Sequence, residues 1–295
     1  MKIVVPEGIA FTQEQKKRLE SLGKVTWFND MPDADTLAKR CEGFDIVAVD
    51  WAPIDGAIPK MKKGVKLVSV PYTGVGFIPL SDATAKGIKI ANAPGYSTEA
   101  VAEFGMGLMI SIVRRIHKYV SEVETLTTST LYKKNLLVLG AGNIGKKVKT
   151  LAEAFGMNVK LYKRGDNLIG MLKESDIVFC ALPSSAETKG LLGKKEFSAM
   201  KKDSYFVSIA STEVYDIQEL IKAIDNRLAG AALDLASINI GDYKSEVWKS
   251  LKNHSKIFIT PHVAYKTDQA IKNGHDMQID NIDSFVKGKP IHIVN

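Results

Sequence analysis

The chain has 295 residues, of which 45% are apolar and 25% are charged. These values are typical of a globular protein with one large or two medium domains. The net charge of +7 is spread along the sequence without interleaved aromatic residues, which argues against a nucleic-acid surface. No apolar run reaches the length of a membrane span, and Cys41 and Cys180 form no disulfide or metal pattern. Composition therefore predicts a cytoplasmic protein that needs no metal.

Strand-like and helix-like segments alternate along almost the whole chain. A first series of predicted strands comprises Lys2–Val5, Lys24–Phe28, Asp45–Val49, Lys66–Val70 and Lys89–Asn92. A second series comprises Asn135–Leu139, Asn158–Tyr162, Ile177–Ala181, Tyr205–Ile209, Gly230–Leu233 and Lys256–Thr260. Several of these segments are continuous apolar runs, as buried parallel strands are. The alternation predicts an α/β fold with two doubly wound domains, Rossmann-like or flavodoxin-like.

The predicted helices set the domain boundaries. Residues Ser97–Glu122 predict one long helix that joins the two series, and Lys266–Lys287 predict another near the end of the chain. Residues Ile291–Val294 are then expected to return to the first domain. The first domain is therefore predicted to be discontinuous, residues 1–96 plus 266–295, and the second to span residues 97–265.

A glycine-rich loop follows the first strand of the second series. Residues Leu136–Gly145 read LLVLGAGNIG, an apolar strand that leads into a G-x-G-x-x-G loop and then a helix. Gly140 allows the tight turn, Gly142 lets a pyrophosphate approach the backbone, and Gly145 lets the helix pack closely on the strand. Asn143 and Ile144 open the helix, whose N-terminus favours phosphate. The pattern predicts dinucleotide binding.

The next strand indicates which dinucleotide is preferred. A site for NAD usually places an acid about 20 residues further on, where it holds the ribose 2′-hydroxyl. Lys163 and Arg164 stand there instead, and two cations suit a 2′-phosphate. Asp166 lies slightly further along, within reach if the loop folds back. We therefore predict NADP(H) in preference to NAD(H), with two solvated surface cations as the alternative interpretation.

Several motifs together resemble one family. They are Lys86–Glu103, the glycine loop, Ala181–Pro183, Glu187–Leu191 and Thr260–Ala264. In this order they are similar to the D-isomer-specific 2-hydroxyacid dehydrogenases, among them the glycerate and phosphoglycerate dehydrogenases. The resemblance implies hydride transfer between a nicotinamide and a small 2-keto or 2-hydroxy acid. It also implies a substrate-binding first domain, a dinucleotide-binding second domain, substrate in the cleft between them, and a homodimer.

The resemblance assigns roles to individual residues. His262 stands at the position of the proton donor, a task for which histidine is suited near neutral pH. Asn239 occupies the place of the carboxylate that orients this histidine. The formate dehydrogenases of the family use an amide there, so the role can be retained. The remaining implied contacts are with the cofactor, from Leu182, Pro183 and Asp234.

One position departs from the family pattern more seriously. Where the family has an arginine that grips the substrate carboxylate, this chain has Ser211, followed by Thr212 and Glu213. A hydroxyl offers one neutral hydrogen bond, whereas a guanidinium offers a charged, two-pronged contact. We expect the loss to weaken catalysis unless another cation reaches the site. The candidates are Lys266, just past His262, and Arg114 or Arg115 on the predicted connecting helix.

A second loop matches the family's substrate-carboxylate loop. It contains Tyr72, Thr73, Gly74 and Val75, and in the family its backbone N–H groups bind the anion. Tyr72 either faces the substrate or packs in the core with a hydrated hydroxyl.

Two main hypotheses of function follow. The first is an NADP(H)-preferring oxidoreductase of small 2-keto or 2-hydroxy acids in which His262 exchanges the proton, Asn239 orients it and Ser211 makes a weak substrate contact. The alternative is a cofactor-binding module that has lost efficient catalysis. A third hypothesis is a dehydrogenase with a neutral or cationic substrate.

Overall fold

The computed structural model describes residues 1–119, 127–235 and 243–295. Contacts divide the chain into two compact units, residues 1–97 plus 267–295 and residues 98–266. These boundaries lie within one residue of the predicted ones, and each unit has its own parallel sheet.

The first unit contains a five-stranded parallel sheet in the order β2-β1-β3-β4-β5. Its strands are β1 (Lys2–Val5), β2 (Lys24–Trp27), β3 (Ile46–Ala48), β4 (Leu67–Ser69) and β5 (Lys89–Ala91). Its helices are α1 (Gln13–Ser21), α2 (Ala34–Arg40), α3 (Ile54–Ala57), α4 (Leu80–Ala85) and, from the end of the chain, the helix Asp268–Val286. Apolar side chains cover both faces of the sheet in two buried clusters, which explains why its strands read as continuous apolar runs.

The second unit contains a six-stranded parallel sheet in the order β11-β10-β9-β8-β6-β7. Its strands are β6 (Asn135–Leu139), β7 (Asn158–Tyr162), β8 (Ile177–Cys180), β9 (Tyr205–Ser208), β10 (Gly230–Asp234) and β11 (Ile257–Thr260). Its helices are α5 (Thr98–Val113), α6 (Ile116–Tyr119), α7 (Asn143–Ala154), α8 (Leu168–Glu174), α9 (Lys194–Ala199), α10 (Ile217–Asn226) and α11 (Glu246–Asn253), so that Asp268–Val286 in the first unit is α12. The direction of strand order reverses between β6 and β8, where a doubly wound sheet binds its ligand.

The predicted strands of both series are all present, and each of their ends agrees with the prediction or differs from it by one residue. The predicted return of the C-terminus is also present, because Ile293 pairs with Ala91 at the edge of the first sheet. The prediction of one helix over Ser97–Glu122 was wrong. The helix stops at Val113, since Arg115 adopts a left-handed backbone with φ 53°, and a separate short helix begins at Ile116.

Close packing explains the first of the two glycines in α5. A Cβ atom on Gly105 would lie 2.5 Å from the ring of Phe179 on β8, whereas a Cβ on Gly107 would meet nothing within 4 Å. Gly105 therefore lets α5 approach the sheet, and Gly107 lies on an exposed part of the helix. Both cysteines are buried free thiols.

Candidate active site

The glycine loop lies at the carboxyl end of β6, beside the point where the strand order reverses. Gly140 has φ 112°, which only glycine adopts readily, and a Cβ there would lie 2.8 Å from the carbonyl oxygen of Ala181. A Cβ on Gly145 would lie 1.8 Å from the Gly140 carbonyl oxygen. These two glycines make the strand-to-helix turn sterically possible.

Gly142 has a different environment from the other two glycines. A Cβ there would meet nothing within 4 Å, so space is open beside the backbone. Gly142 is the N-cap of α7, and no side chain caps this helix, so the N–H groups of Asn143 and Ile144 are available to an anion. The loop therefore has the shape and the polarity that a pyrophosphate requires, and the fold fits a dinucleotide.

The loop after β7 carries positive and negative side chains near the place where the cofactor's ribose is expected. The side chain of Arg164 is 86% exposed and its guanidinium lies 3.5 Å from the carboxylate of Glu187. The loop does fold back, since the Asp166 carboxylate accepts the backbone N–H of Lys163 at 2.7 Å. An acid and two cations thus stand together where the 2′ position of a ribose is expected.

The loop after β8 contains Leu182 and Pro183, and Thr188 makes several hydrogen bonds within it. The hydroxyl of Thr188 donates to the Pro183 carbonyl oxygen at 2.6 Å and accepts the Ser185 N–H at 2.9 Å. The loop therefore has a defined shape at the same sheet edge as the glycine loop. Ala181, which packs against Gly140, leads into it.

The loop after β11 is anchored by a buried carboxylate on the neighbouring strand. Asp234, at the end of β10, is 2% exposed. Its carboxylate accepts the Thr260 hydroxyl at 2.6 Å, the Val263 N–H at 3.0 Å and the Ala264 N–H at 2.9 Å. These bonds surround His262, which has a left-handed backbone, φ 53°. A histidine in this region is uncommon and is retained because the surrounding bonds fix the loop.

The imidazole of His262 points away from the core but lies close to the Asp234 carboxylate. Its side chain is 51% exposed, and its Nδ1 atom lies 3.9 Å from the Asp234 carboxylate. That distance is too long for a hydrogen bond but short enough for electrostatic attraction to an imidazolium. Asp234, which the resemblance predicts to contact the cofactor, anchors the His262 loop, and the sequence did not reveal this. Asn239, predicted to orient His262, lies outside the described residues.

The loop after β9 is shaped by Ser211 and Glu213. The Ser211 hydroxyl accepts the Glu213 N–H at 3.2 Å and caps a single 3₁₀ turn, Thr212–Val214. The Glu213 carboxylate accepts the hydroxyl of Ser184, and its carbonyl oxygen accepts the Gly190 N–H at 2.8 Å. The position at which the motifs predict an arginine is therefore occupied by a capping hydroxyl, with a carboxylate two residues away.

The predicted substrate loop lies in the first unit, after β4. Thr73 fixes it, because its hydroxyl donates to the Ala93 carbonyl oxygen at 2.8 Å and its own carbonyl accepts the Asn92 side-chain amide at 2.8 Å. A Cβ on Gly74 would meet nothing within 4 Å, so space lies beside the backbone. Val75 and Tyr72 pack against the core of this unit.

The position of the Tyr72 ring agrees with the interpretation that this side chain packs in the core. Its centroid lies 5.8 Å from that of Phe77. Burial raises the pKa of Tyr72 well above its usual value, and the nearby carboxylates of Asp50 and Glu7 raise it further. Its phenol is therefore protonated at neutral pH.

Two buried ionisable groups in the first unit were not anticipated from the sequence. The Glu7 carboxylate is 1% exposed and accepts the backbone N–H groups of Asp50, Trp51 and Ala52 at 2.7 to 3.0 Å. The imidazole Nε2 of the buried His275 lies 3.2 Å from the Asp50 carboxylate. Together they fix the loop after β3. Glu7 comes soon after the buried apolar residues Ile3–Val5 of β1.

Within the three described ranges, no cluster of histidine, cysteine and acidic side chains could hold a metal ion. None of the helices in those ranges is both long enough and apolar enough to cross a bilayer.

Comparison with known proteins bears on the second unit directly. Residues 106–264 match the family model "D-isomer specific 2-hydroxyacid dehydrogenase, NAD binding domain". Along its whole length the chain is 26% identical to a hydroxypyruvate reductase of Blautia hydrogenotrophica, which it also covers completely. It is 29% identical to an aromatic 2-oxoacid reductase of Clostridium sporogenes, with 86% of each chain covered. A solved acyclic imino acid reductase, in complex with NADPH and D-Arg, superposes with a TM-score of 0.86 at 26% identity, and both chains are fully covered.

Proposed function

The chain belongs to the D-isomer specific 2-hydroxyacid dehydrogenase family, and from this premise we propose that His262 exchanges the proton in its reaction. As predicted from the motifs, the reaction of this family is hydride transfer between a nicotinamide and a 2-keto or 2-hydroxy acid. The observation that carries the proposal is the way in which the His262 loop is fixed. Three hydrogen bonds to Asp234 hold it at the carboxyl edge of the sheet, the edge at which the glycine loop also lies.

The proposed mechanism divides the chemistry between cofactor and side chains. The glycine loop and the N-terminus of α7 would hold the pyrophosphate, and the bound nicotinamide supplies or accepts the hydride. His262 would donate a proton to the carbonyl oxygen of a 2-keto acid as the alcohol forms, and would accept it back in the reverse reaction. Asp234 would hold the loop that carries His262 in place through its hydrogen bonds to Thr260, Val263 and Ala264. The loop Tyr72–Val75 would bind the substrate carboxylate through backbone N–H groups.

NADP(H) is proposed as the preferred cofactor. Lys163 and Arg164 offer two cations to a 2′-phosphate, and the imino acid reductase similar to this chain was solved with NADPH. Against this stands Asp166, whose carboxylate is held beside Lys163. The Asp166 carboxylate accepts the backbone N–H of Lys163, so part of its negative charge is already compensated. Arg164 can turn toward a phosphate because its contact with Glu187 is long and exposed.

A test of the main proposal follows NADPH and NADH oxidation by glyoxylate, hydroxypyruvate, pyruvate and bulkier 2-keto acids. We expect turnover with at least one of them, faster with NADPH, and a loss of about 10² to 10⁴ in kcat for His262→Ala. Unchanged turnover in His262→Ala would disprove the assignment. Cofactor binding without turnover on every substrate would instead support a module that has lost catalysis.

A second candidate function is favoured by the loop after β9. Ser211 offers no positive charge and Glu213 places a carboxylate nearby, so a neutral or cationic group is better accepted there than a second anion. An imine formed from a 2-keto acid and an amine is cationic when protonated, and the chain is similar to an imino acid reductase. NADPH oxidation by pyruvate should then rise sharply when methylamine is added, and identical rates would exclude this candidate.

We also propose an assembly and a compartment for the protein. A homodimer through α5 is supported by the exposed backbone at Gly107, where a Cβ atom would have no neighbour within 4 Å. Gly107→Glu should shift the mass measured by light scattering to that of a monomer. A reducing compartment, the cytoplasm, suits the two buried free thiols, Cys41 and Cys180.

A further inference from the structure

The proposed substrate loop, Tyr72–Val75, presents backbone N–H groups that the fold itself does not use. Within the described ranges, the N–H groups of Gly74, Val75 and the following Gly76 donate to no acceptor. A Cβ atom on Gly74 or Gly76 would meet nothing within 4 Å, so the space beside these groups is open. Successive N–H groups form an anion site when the backbone holds them in one fixed geometry. The loop therefore depends on its neighbours for its alignment.

Helix α12 lies directly against the residue that precedes this loop. A Cβ atom on Gly274 would lie 2.4 Å from the carbonyl oxygen of Pro71 and 3.1 Å from the ring of Tyr96. Glycine is the residue that lets a helix approach another backbone so closely. The position of α12 therefore sets the position of Pro71, from which the loop begins.

Asn92, directly after β5, holds the middle of the loop. Its side-chain Nδ2 donates to the Thr73 carbonyl oxygen at 2.8 Å, and the N–H of Ala93 donates to the Tyr72 carbonyl oxygen at 2.9 Å. Asn92 is only 8% exposed, so its bond is shielded from water. The carbonyl of Thr73 and the N–H of Gly74 belong to one planar peptide group. By fixing that carbonyl, Asn92 also fixes the direction of the first unused N–H.

A buried amide on α12 supports Asn92 from behind. Asn281 is 1% exposed, and its Nδ2 donates to the Asn92 carbonyl oxygen at 2.8 Å. Its Oδ1 accepts from the Nδ1 of His292 at 2.9 Å. Because Nδ2 must face a carbonyl oxygen, the amide has one possible orientation, and Nδ1 of His292 carries the proton.

The C-terminal segment completes this arrangement through His292. Its backbone is left-handed, φ 54°, which is uncommon for histidine and persists where surrounding contacts fix it. The His292 carbonyl oxygen accepts the Asn92 N–H at 3.2 Å. Both the side chain and the backbone of His292 therefore act on the same small group, Asn281 and Asn92, that holds the loop.

We propose that Asn281 is a positioning residue for the substrate, which acts through Asn92 on the peptide group between Thr73 and Gly74. The inference rests on the proposed function, in which this loop binds the substrate carboxylate. Asn281 is buried and acts without touching the substrate. When either amide is lost, the loop keeps its N–H groups but loses their alignment. Affinity for the substrate then falls, whereas the cofactor loop, which belongs to the second unit, keeps its affinity for NADPH.

The first test measures KM for the 2-keto acid that the full chain reduces fastest, with NADPH saturating. Asn281→Leu and Asn92→Leu each remove one donor at a similar side-chain volume. Each should raise KM about tenfold or more, with a smaller change in kcat and an unchanged Kd for NADPH. Because the two residues act in series, the double variant should raise KM no further than the larger single effect, whereas independent effects would multiply.

Gln15→Met is the matched control, because it also removes a buried amide bonded to α12. Gln15 is 2% exposed, and its Nε2 donates to the Lys272 carbonyl oxygen at 3.2 Å and to the Asp276 carboxylate at 2.9 Å. These partners are on the helix and not in the loop. The substitution should therefore lower the free energy of unfolding and leave KM unchanged.

The second test is hydrogen exchange, which needs no turnover. The N–H of Ala93 is protected by its bond to the Tyr72 carbonyl oxygen, so its exchange reports how firmly the loop is attached. Ala93 should exchange about tenfold faster in the two leucine variants than in the wild-type chain or in Gln15→Met.

Two results would overturn the proposal. One is equal exchange of the Ala93 N–H in the wild-type chain and both leucine variants. The other is a wild-type KM in both variants. A wild-type chain that reduces no 2-keto acid contradicts the proposed function instead, and exchange alone then decides whether Asn281 positions the loop. If Asn281→Leu does not fold, Asn92→Leu gives the answer, because among the described residues the Asn92 side chain donates only to Thr73.

Discussion

Two loops at the same edge of the second sheet differ in how far they keep the pattern of their family. The loop after β6 has all three glycines, with the positive φ of Gly140, the open space at Gly142 and the tight approach at Gly145 that a dinucleotide site requires. The loop after β9 has Ser211 at the position where the motifs predict an arginine, and the Ser211 hydroxyl caps a 3₁₀ turn.

The difference follows from what each loop has to bind. A pyrophosphate is the same in every nicotinamide cofactor, so the backbone geometry that holds it leaves little freedom. A substrate varies between members of a family, and the groups that recognise it vary accordingly. We therefore expect the cofactor loop to tolerate less change than the loop after β9, and the following predictions test that comparison.

The largest effect is expected from restoring the missing cation. Ser211→Arg should raise kcat/KM for a 2-keto acid about 10²- to 10³-fold if the loop can present a guanidinium to the substrate carbonyl. Ser211→Lys is the matched control, because it has the same charge without the two-pronged geometry, and should give a much smaller gain. Steady-state NADPH oxidation measures both. A fall in activity with Arg would indicate that the native substrate requires a site without positive charge.

Two glycine-to-alanine substitutions test the cofactor loop. Gly145→Ala forces a Cβ against the Gly140 carbonyl oxygen, and we expect a loss of about 1 to 3 kcal/mol in the free energy of unfolding. Gly142→Ala meets open space, so the fold should keep its stability while NADPH binding weakens. Urea denaturation and cofactor titration separate the two effects. Full NADPH affinity in Gly142→Ala would mean that the pyrophosphate lies elsewhere.

Asp234→Asn tests the anchor of the His262 loop. The amide turns one acceptor oxygen into a donor that faces an N–H or O–H group, and we expect about 1 to 3 kcal/mol of destabilisation. If Asp234 acts through His262, kcat should fall more than the affinity for NADPH does. Asp216→Asn, which alters a surface N-cap on α10, is the control and should leave kcat unchanged. Equal losses of kcat and cofactor affinity would point to a cofactor contact alone.

The smallest effect is expected at the end of β7. Arg164→Gln should reduce the preference for NADPH over NADH about tenfold, because one charged hydrogen bond to the 2′-phosphate is lost. Lys160→Gln removes an exposed cation from the same strand and should not change the ratio of the two kcat/KM values. A preference for NADH in the wild-type chain would show that Asp166 outweighs both cations.

The sequence was sufficient for the parts of the molecule that local pattern controls. Buried parallel strands are continuous apolar runs, so all the predicted strands are present. The cofactor loop could also be placed, because its glycines and the helix after them stand in one short segment. The end of α5 could not be placed, since Arg114 and Arg115 are ordinary helix residues and nothing in their identity predicts a left-handed turn.

What the sequence by itself determined is the family, the doubly wound fold of each unit and the positions of the cofactor loop and His262, all of which rest on residues close together in the chain. Only the tertiary structure decided that Asp234 anchors the His262 loop from 26 residues or more away, and that Glu7 fixes the loop at Asp50. It also joined Asn281, Asn92 and Thr73 in one chain of hydrogen bonds. The physical reason is that a buried charge must find its partners in space, and their separation along the chain is not constrained by any local pattern.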